Sequence, residues 1–286
     1  MKMRAPAVPL ITVDPYFSVW SRDTTLNAAT TMHWTGANNS IIGTVIVDGK
    51  TYSFLGYERD LHKLVQTSLD ITALSTVATY ECEEITLTAT STTPLLPNCY
   101  EHLTRPVSYL ELTYASKDGK AHEVIAHVRL SEELCLNRAG ESPVEVKDID
   151  LNGLHGSRMG NTVQKPLNRS GDDLRIDWGY VYLMAKGENV TTGLENIPER
   201  LKAIRTRKQT NIAVTLGMTE GVSTLILFGY DDIESIEYFH KPLRSYWNRD
   251  GKSIAHVIGK SSLKINLYHF GHGNVIRAAA HRNSNV

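Results

Sequence analysis

The sequence predicts a mainly β protein, a large antiparallel β-sandwich with a few short helices. Three observations predict it. Apolar segments of strand length fill most of the first two-thirds of the chain, turn signals such as Asp48-Gly49 separate them, and patterns of helical period are few. The chain has 286 residues, 41% hydrophobic and 21% charged, enough for one large β domain or two ordinary ones around a true core. Net charge is −1, with Lys and Arg dispersed, so the concentrated basic face of a nucleic-acid binder is missing. No apolar run reaches the length of a membrane span.

Taken in order, Met1–Arg4 is basic like the start of a signal peptide. However, Ala5–Val13 is short, interrupted by Pro6 and Pro9, and has no small-residue cleavage site, so it reads as mature protein. Thr44–Val47 and Thr51–Leu55 flank Asp48-Gly49, a strong hairpin signal. The Thr-rich run from Thr67 to Thr93 is strand-like. Tyr80 and Cys82 share one parity and Ile85, Leu87 and Ala89 the other, which predicts a β-bulge at Glu83-Glu84. Tyr109–Ala115 and Glu123–Leu130 flank Lys117-Asp-Gly-Lys120 and predict a second hairpin. In its latter strand Val124, Ala126, Val128 and Leu130 alternate with Glu123, His127 and Arg129. Further strands are predicted at Tyr180–Ala185, Asn211–Leu216 and Ser223–Tyr230.

Two helices are expected. Leu194, Ile197, Leu201 and Ile204 follow helical spacing, with Arg200, Lys202, Arg205, Arg207 and Lys208 as the solvated face. Asp232 is placed to cap a second, short helix burying Ile236 and Phe239, after which Pro242 restarts the chain towards Leu243 and Trp247. The domain reading is an N-terminal segment 1–65, a main sandwich 66–258 and a divergent tail 259–286.

Most short chemical motifs dissolve on inspection. Asp148-Ile-Asp-Leu-Asn-Gly153 opens like a calcium loop, but its twelfth position is Met159 where a bidentate Glu is needed, and an Asx-type turn explains the same residues. His269, His272 and His281 lack the further ligands of a zinc site, so no metal and no cofactor are expected. Cys82, Cys99 and Cys135 have no CxxC spacing; one disulfide plus a free thiol is left open. Nucleophile-elbow, phosphate-loop and dinucleotide-binding patterns are missing. Sequons lie at Asn38, Asn168 and Asn189.

The densest chemistry lies in Arg169–Tyr180, with Asp172, Asp173 and Asp177, Arg169 and Arg175, two glycines, Trp178 and Tyr180. On an extended stretch Asp173, Arg175 and Asp177 share one side. That ladder is either a structural ion-pair network, the preferred reading, or an acid–base pair tuned by its arginines. Trp20 and Trp34 are read as packing anchors at an interface in preference to a sugar platform, and Trp247 joins them.

Four segments together resemble the glutaminase A family: Pro6–Ser21, Met32–Gly36, Arg169–Leu183, and Tyr230–Phe239 with Tyr246-Trp247. Thr93–Pro97 and Arg105–Tyr109 add to the likeness. The resemblance covers the N-terminal part of a longer, often exported protein. It implies a β-sandwich followed by a helical, (α/α)-toroid-like domain carrying the catalytic groups, so no catalytic residue transfers to this chain. The chain is expected to be inactive alone. The implied reaction of the parent is hydrolysis of the glutamine side-chain amide. The implied partner is the helical domain, which Asp172, Asp173, Arg175, Asp177, Trp178 and Tyr180 would approach. The residues after Ile258 lose the family wording, which suggests a truncated or frameshifted end. A carbohydrate-binding module with a glycan ligand is the alternative, and a glycosidase parent a third possibility.

Overall fold

A computed structural model describes residues 5–151, 153–193 and 209–264. Two antiparallel sheets dominate. The smaller has six strands, in the order β14 (Thr191–Thr192), β15 (Asn211–Met218), β10 (Val124–Ser131), β3 (Ile41–Val47), β4 (Lys50–Leu55) and β5 (His62–Lys63). The larger has eight, in the order β11 (Val144–Leu151), β12 (Leu154–Asn161), β13 (Tyr180–Lys186), β16 (Thr224–Asp231), β9 (Val107–Ser116), β8 (Ile85–Thr92), β7 (Ser75–Glu81) and β6 (Val65–Ile71). Among the described residues, only the short β4–β5 edge pairs in parallel. Two small hairpins complete the strands: β1 (Val8–Thr12) with β2 (Ser18–Ser21), and β17 (Ile236–Tyr238) with β18 (Lys241–Leu243). The helices are α1 (Tyr100–Leu103) and α2 (Ile254–Lys264). The predicted helix around Leu194–Ile204 and the tail histidines lie outside the described residues.

The mainly β sandwich is therefore present. Its core lies between the sheets, where Phe54, Tyr80, Leu87, Leu112, Val128 and Leu183 are fully buried. The Asp48-Gly49 hairpin forms as the sequence predicts, with Val47 opposite Lys50 and both turn residues at positive φ (47° and 79°).

Four expectations are corrected. First, the parity switch at Glu83-Glu84 is a chain reversal, not a bulge. β7 and β8 form a hairpin in which Tyr80 faces Leu87, so both parities point into one core. Second, β9 and β10 do not pair. β9 lies between β8 and β16 in the large sheet and β10 between β3 and β15 in the small one, so the Lys117–Lys120 loop crosses the sandwich. His122 anchors that crossover, with Nδ1 2.7 Å from Asp48 Oδ2 and Nε2 2.9 Å from Asp118 Oδ1. The Asp-Gly signal marks a turn and says nothing of which strand is met after it. Third, the region after Asp232 is the β17–β18 hairpin, leaving Ile236 56% and Phe239 80% exposed. The Asp232 and Glu234 carbonyls, which a helix would need, accept instead from Trp178 Nε1, at 2.7 and 3.1 Å. Fourth, Asp148–Leu151, read as an Asx-type turn, belong to regular strand β11, with Asp148 accepting from Ser157 Oγ at 2.7 Å. The open disulfide alternative also closes, because all three cysteines are free.

The large sheet is apolar on both faces over its central strands β9, β12, β13 and β16. On its outward side Val107, Tyr109, Tyr182, Met184 and Leu227 form a second cluster, covered by Trp247 and by Ile254, Val257 and Ile258 of α2. No helix among the described residues is long and apolar enough to cross a membrane.

Candidate functional site

The Arg169–Tyr180 segment runs as irregular chain into β13. Its backbone is held by side chains from elsewhere. Asn161 Nδ2 donates to the Asp177 carbonyl (2.9 Å), Gln164 Oε1 accepts from Gly179 N–H (2.6 Å), and Tyr230 hydroxyl donates to the Trp178 carbonyl (2.7 Å). Glycine at 179 is required, since φ is +78° and a Cβ would lie 2.1 Å from the Asp231 carbonyl oxygen.

The six predicted residues do not converge on one point. Arg175 is buried. Its backbone N–H and Nε bond Asn137 Oδ1 and carbonyl, both at 3.1 Å, and Nη1 pairs with Asp173 and reaches Thr35 Oγ1 at 3.4 Å. Asp177 pairs instead with Arg169 Nε at 3.4 Å, so the expected three-residue ladder is two separate ion pairs. Burial raises the Asp177 carboxyl against the lowering effect of Arg169. Asp172 is exposed. Trp178 is buried and meets Tyr16 edge-on at 5.3 Å while clamping the base of β17–β18. Tyr180 stacks under the Arg158 guanidinium, 4.1 Å from its ring centroid.

Of these, Asp173 and Arg175 border an open pocket of about 410 Å³. The opposite walls come from residues that the sequence did not single out. Glu133 follows β10 and is buried, its Oε2 accepting from Ser40 N (3.1 Å), Ser40 Oγ (2.6 Å) and Ser131 Oγ (2.9 Å). Asn137 and Arg138 lie on the following loop, and Thr35 and Asn38 come from the N-terminal region. No spacing in the sequence joins these three regions, because only the tertiary fold brings them together.

Thr35 sits on a rigid turn. His33 N–H donates to the Ala37 carbonyl at 2.8 Å, and Gly36 N–H, at φ +89°, donates back to the His33 carbonyl. Burial lowers the His33 pKa, favouring the neutral ring, so Nε2–H donates to the Pro15 carbonyl at 2.8 Å. Trp34 Nε1 donates to the same carbonyl at 2.7 Å. Trp34 is nonetheless 54% exposed within this chain. Trp20 is half-buried and Trp247 is 4% exposed on the outward face of the large sheet.

Away from the pocket, burial pushes Asp232 up to about 6. A Ser235 hydrogen bond opposes that rise, and the charges of Asp14 and Asp231 add to it. Buried Cys135 and Tyr230 have raised pKa values, and the His127 pKa falls to about 4, all through burial. At neutral pH the Cys135 thiol, the Tyr230 hydroxyl and the His127 ring are thereby held in their neutral forms.

Residues 74–262 match the family described as Domain of unknown function (DUF5127), and residues 1–66 match Domain of unknown function (DUF4964). Glutaminase A of Aspergillus oryzae is 28% identical over 138 residues, a stretch covering 46% of this chain and 20% of that protein. Among solved structures, a putative kojibiose phosphorylase from human microbiome aligns over 87% of this chain and 28% of its own, with a TM-score of 0.41 and 10% identity. The chain thus spans about a fifth of the glutaminase A it resembles, and that resemblance falls on its N-terminal portion. With more than half of its residues matched by one family, the chain belongs to the family described as Domain of unknown function (DUF5127).

Proposed function

We propose that this chain is the N-terminal scaffold of a glutaminase A-like hydrolase, and that the parent hydrolyses L-glutamine to L-glutamate and ammonia. The observation that carries the reading is the two-faced large sheet. One sheet of a free-standing sandwich normally turns a polar face to water. Here the outward face is apolar over β9, β12, β13 and β16 and already receives α2 and Trp247, the arrangement expected of a platform for a helical layer. The likeness to glutaminase A over part of its length supports the same reading. In this account the helical domain of the parent is the partner, and Asp172, Asp173, Arg175, Asp177, Trp178 and Tyr180 approach it or its cleft. The parent acts outside the cytoplasm, as the family resemblance implies.

The chain alone is expected to release no ammonia from glutamine. A coupled ammonia assay on the purified chain tests this, and turnover that disappears in Asp177→Ala would overturn the scaffold assignment.

A further inference from the structure

The pocket between Thr35 and Arg175 has a chemistry of its own, independent of the scaffold assignment. Its charges are largely satisfied within the protein. Asp173 neutralises Arg175, and Glu133 Oε2 is saturated by three donors. With Arg138 as the further cation, the rim and walls hold two carboxylates and two guanidiniums. Such a balance gives no strong preference for an anion or a cation.

What the walls offer instead is hydrogen-bonding capacity on planar groups. Arg175 Nη2 makes no hydrogen bond among the described residues, Glu133 Oε1 has only a 3.4 Å contact from Gln209, and the Asp173 side chain is 81% exposed. Asn38 and Asn137 also line the pocket, with Asn137 Oδ1 already accepting from the Arg175 backbone N–H. Carboxylate, amide and guanidinium planes present paired donors or acceptors, matching the adjacent hydroxyls of a sugar ring, each of which can donate to one group and accept from another.

A second observation points the same way. Trp34 is not itself a lining residue but directly precedes the pocket-lining Thr35 in the chain, and it keeps its ring exposed although its N–H is tied to the Pro15 carbonyl and its turn is locked by His33. An indole whose polar edge is satisfied and whose body stays in water is a fixed apolar platform at low entropic cost. The volume of about 410 Å³ suits a ligand of one or two sugar units.

We propose that this pocket is a binding site for a neutral saccharide, with Trp34 as the stacking platform and Arg175, Asp173 and Glu133 as hydroxyl partners. The site binds and does not catalyse.

The test uses the full chain made in a bacterial host, because the Asn38 sequon borders the pocket. An array of neutral glucans, galactans and mannans is followed by calorimetric titration with the disaccharide unit of the strongest hit. L-glutamine and L-glutamate are titrated in parallel. The expected result is saccharide binding weakened about tenfold or more by Trp34→Ala and by Asp173→Asn, a loss of about 1.4 kcal/mol per tenfold. Both positions are exposed, but Asp173→Asn also removes the counterion of the buried Arg175, so its fold is checked by circular dichroism, and Arg138→Ala provides a third exposed probe. A silent array with no titration heat overturns the proposal. So does saccharide binding indifferent to all three variants, or amino-acid binding that Arg138→Ala removes while saccharides stay inert. Ammonia release by the chain would upset the scaffold reading and leave this one standing, so the two can fail separately.

Discussion

His127 shows how a residue that looks solvent-facing in the sequence becomes structural. The β10 alternation places it on the wet side, yet it is 3% exposed and its Nδ1 meets Thr215 Oγ1 at 2.8 Å. Burial lowers its pKa from 6.5 to about 4, with the Arg129 charge adding to the effect. The unfolded chain therefore binds the proton first, and the stability contributed by the neutral ring is full above about pH 6.5 and declines as pH falls towards 4. Urea denaturation across that window should show the loss, and His127→Gln should flatten its own share of it. Gly156 sets a sharper limit. A Cβ there would lie 2.1 Å from the Leu183 carbonyl oxygen, so Gly156→Ala should cost about 3 kcal/mol or more in the same assay. Neither residue announces itself in the sequence, because burial and close approach come from neighbouring strands distant in the chain.

At the scale of elements, strands with strong local grammar were legible and their partners were not. β3, β4, β13, β15 and β16 appear where apolar runs and Asp48-Gly49 put them. The β9–β10 crossover and the β17–β18 hairpin did not, since pairing depends on contacts that no local pattern encodes. The β17–β18 turn is also strained. Phe239 and His240 both adopt positive φ, 48° and 61°, in a turn that favours Asn-Gly. Replacing the pair by Asn-Gly should raise stability by about 1 kcal/mol, read as a higher melting temperature. Trp178→Phe removes the N–H that holds the Asp232 and Glu234 carbonyls and should make the segment from Ser235 to Leu243 an early target in limited proteolysis, with the rest of the sandwich resisting. The site follows the same rule. Asp173 and Arg175 stood out through their local charge density, whereas Glu133, Asn137 and Thr35 became partners only through the fold.

For the molecule as a whole, the decisive feature is that the central strands of one sheet bury two faces. The inward face makes the sandwich, and the outward face makes a third layer with α2. Val257 and Ile258 are 6% and 1% exposed, so Val257→Asp should uncover apolar sheet and give dye binding and self-association while the strand signal in circular dichroism persists. A free-standing binding module has no need of such a layer, whereas a scaffold for a helical catalytic domain does. The most direct measurement is the substrate range of an intact parent protein containing this chain, assayed on L-glutamine and on a panel of glycosides. The account predicts ammonia release from glutamine by the intact parent and none by the separated sandwich. An intact parent that ignores glutamine and cleaves glycosides would contradict it.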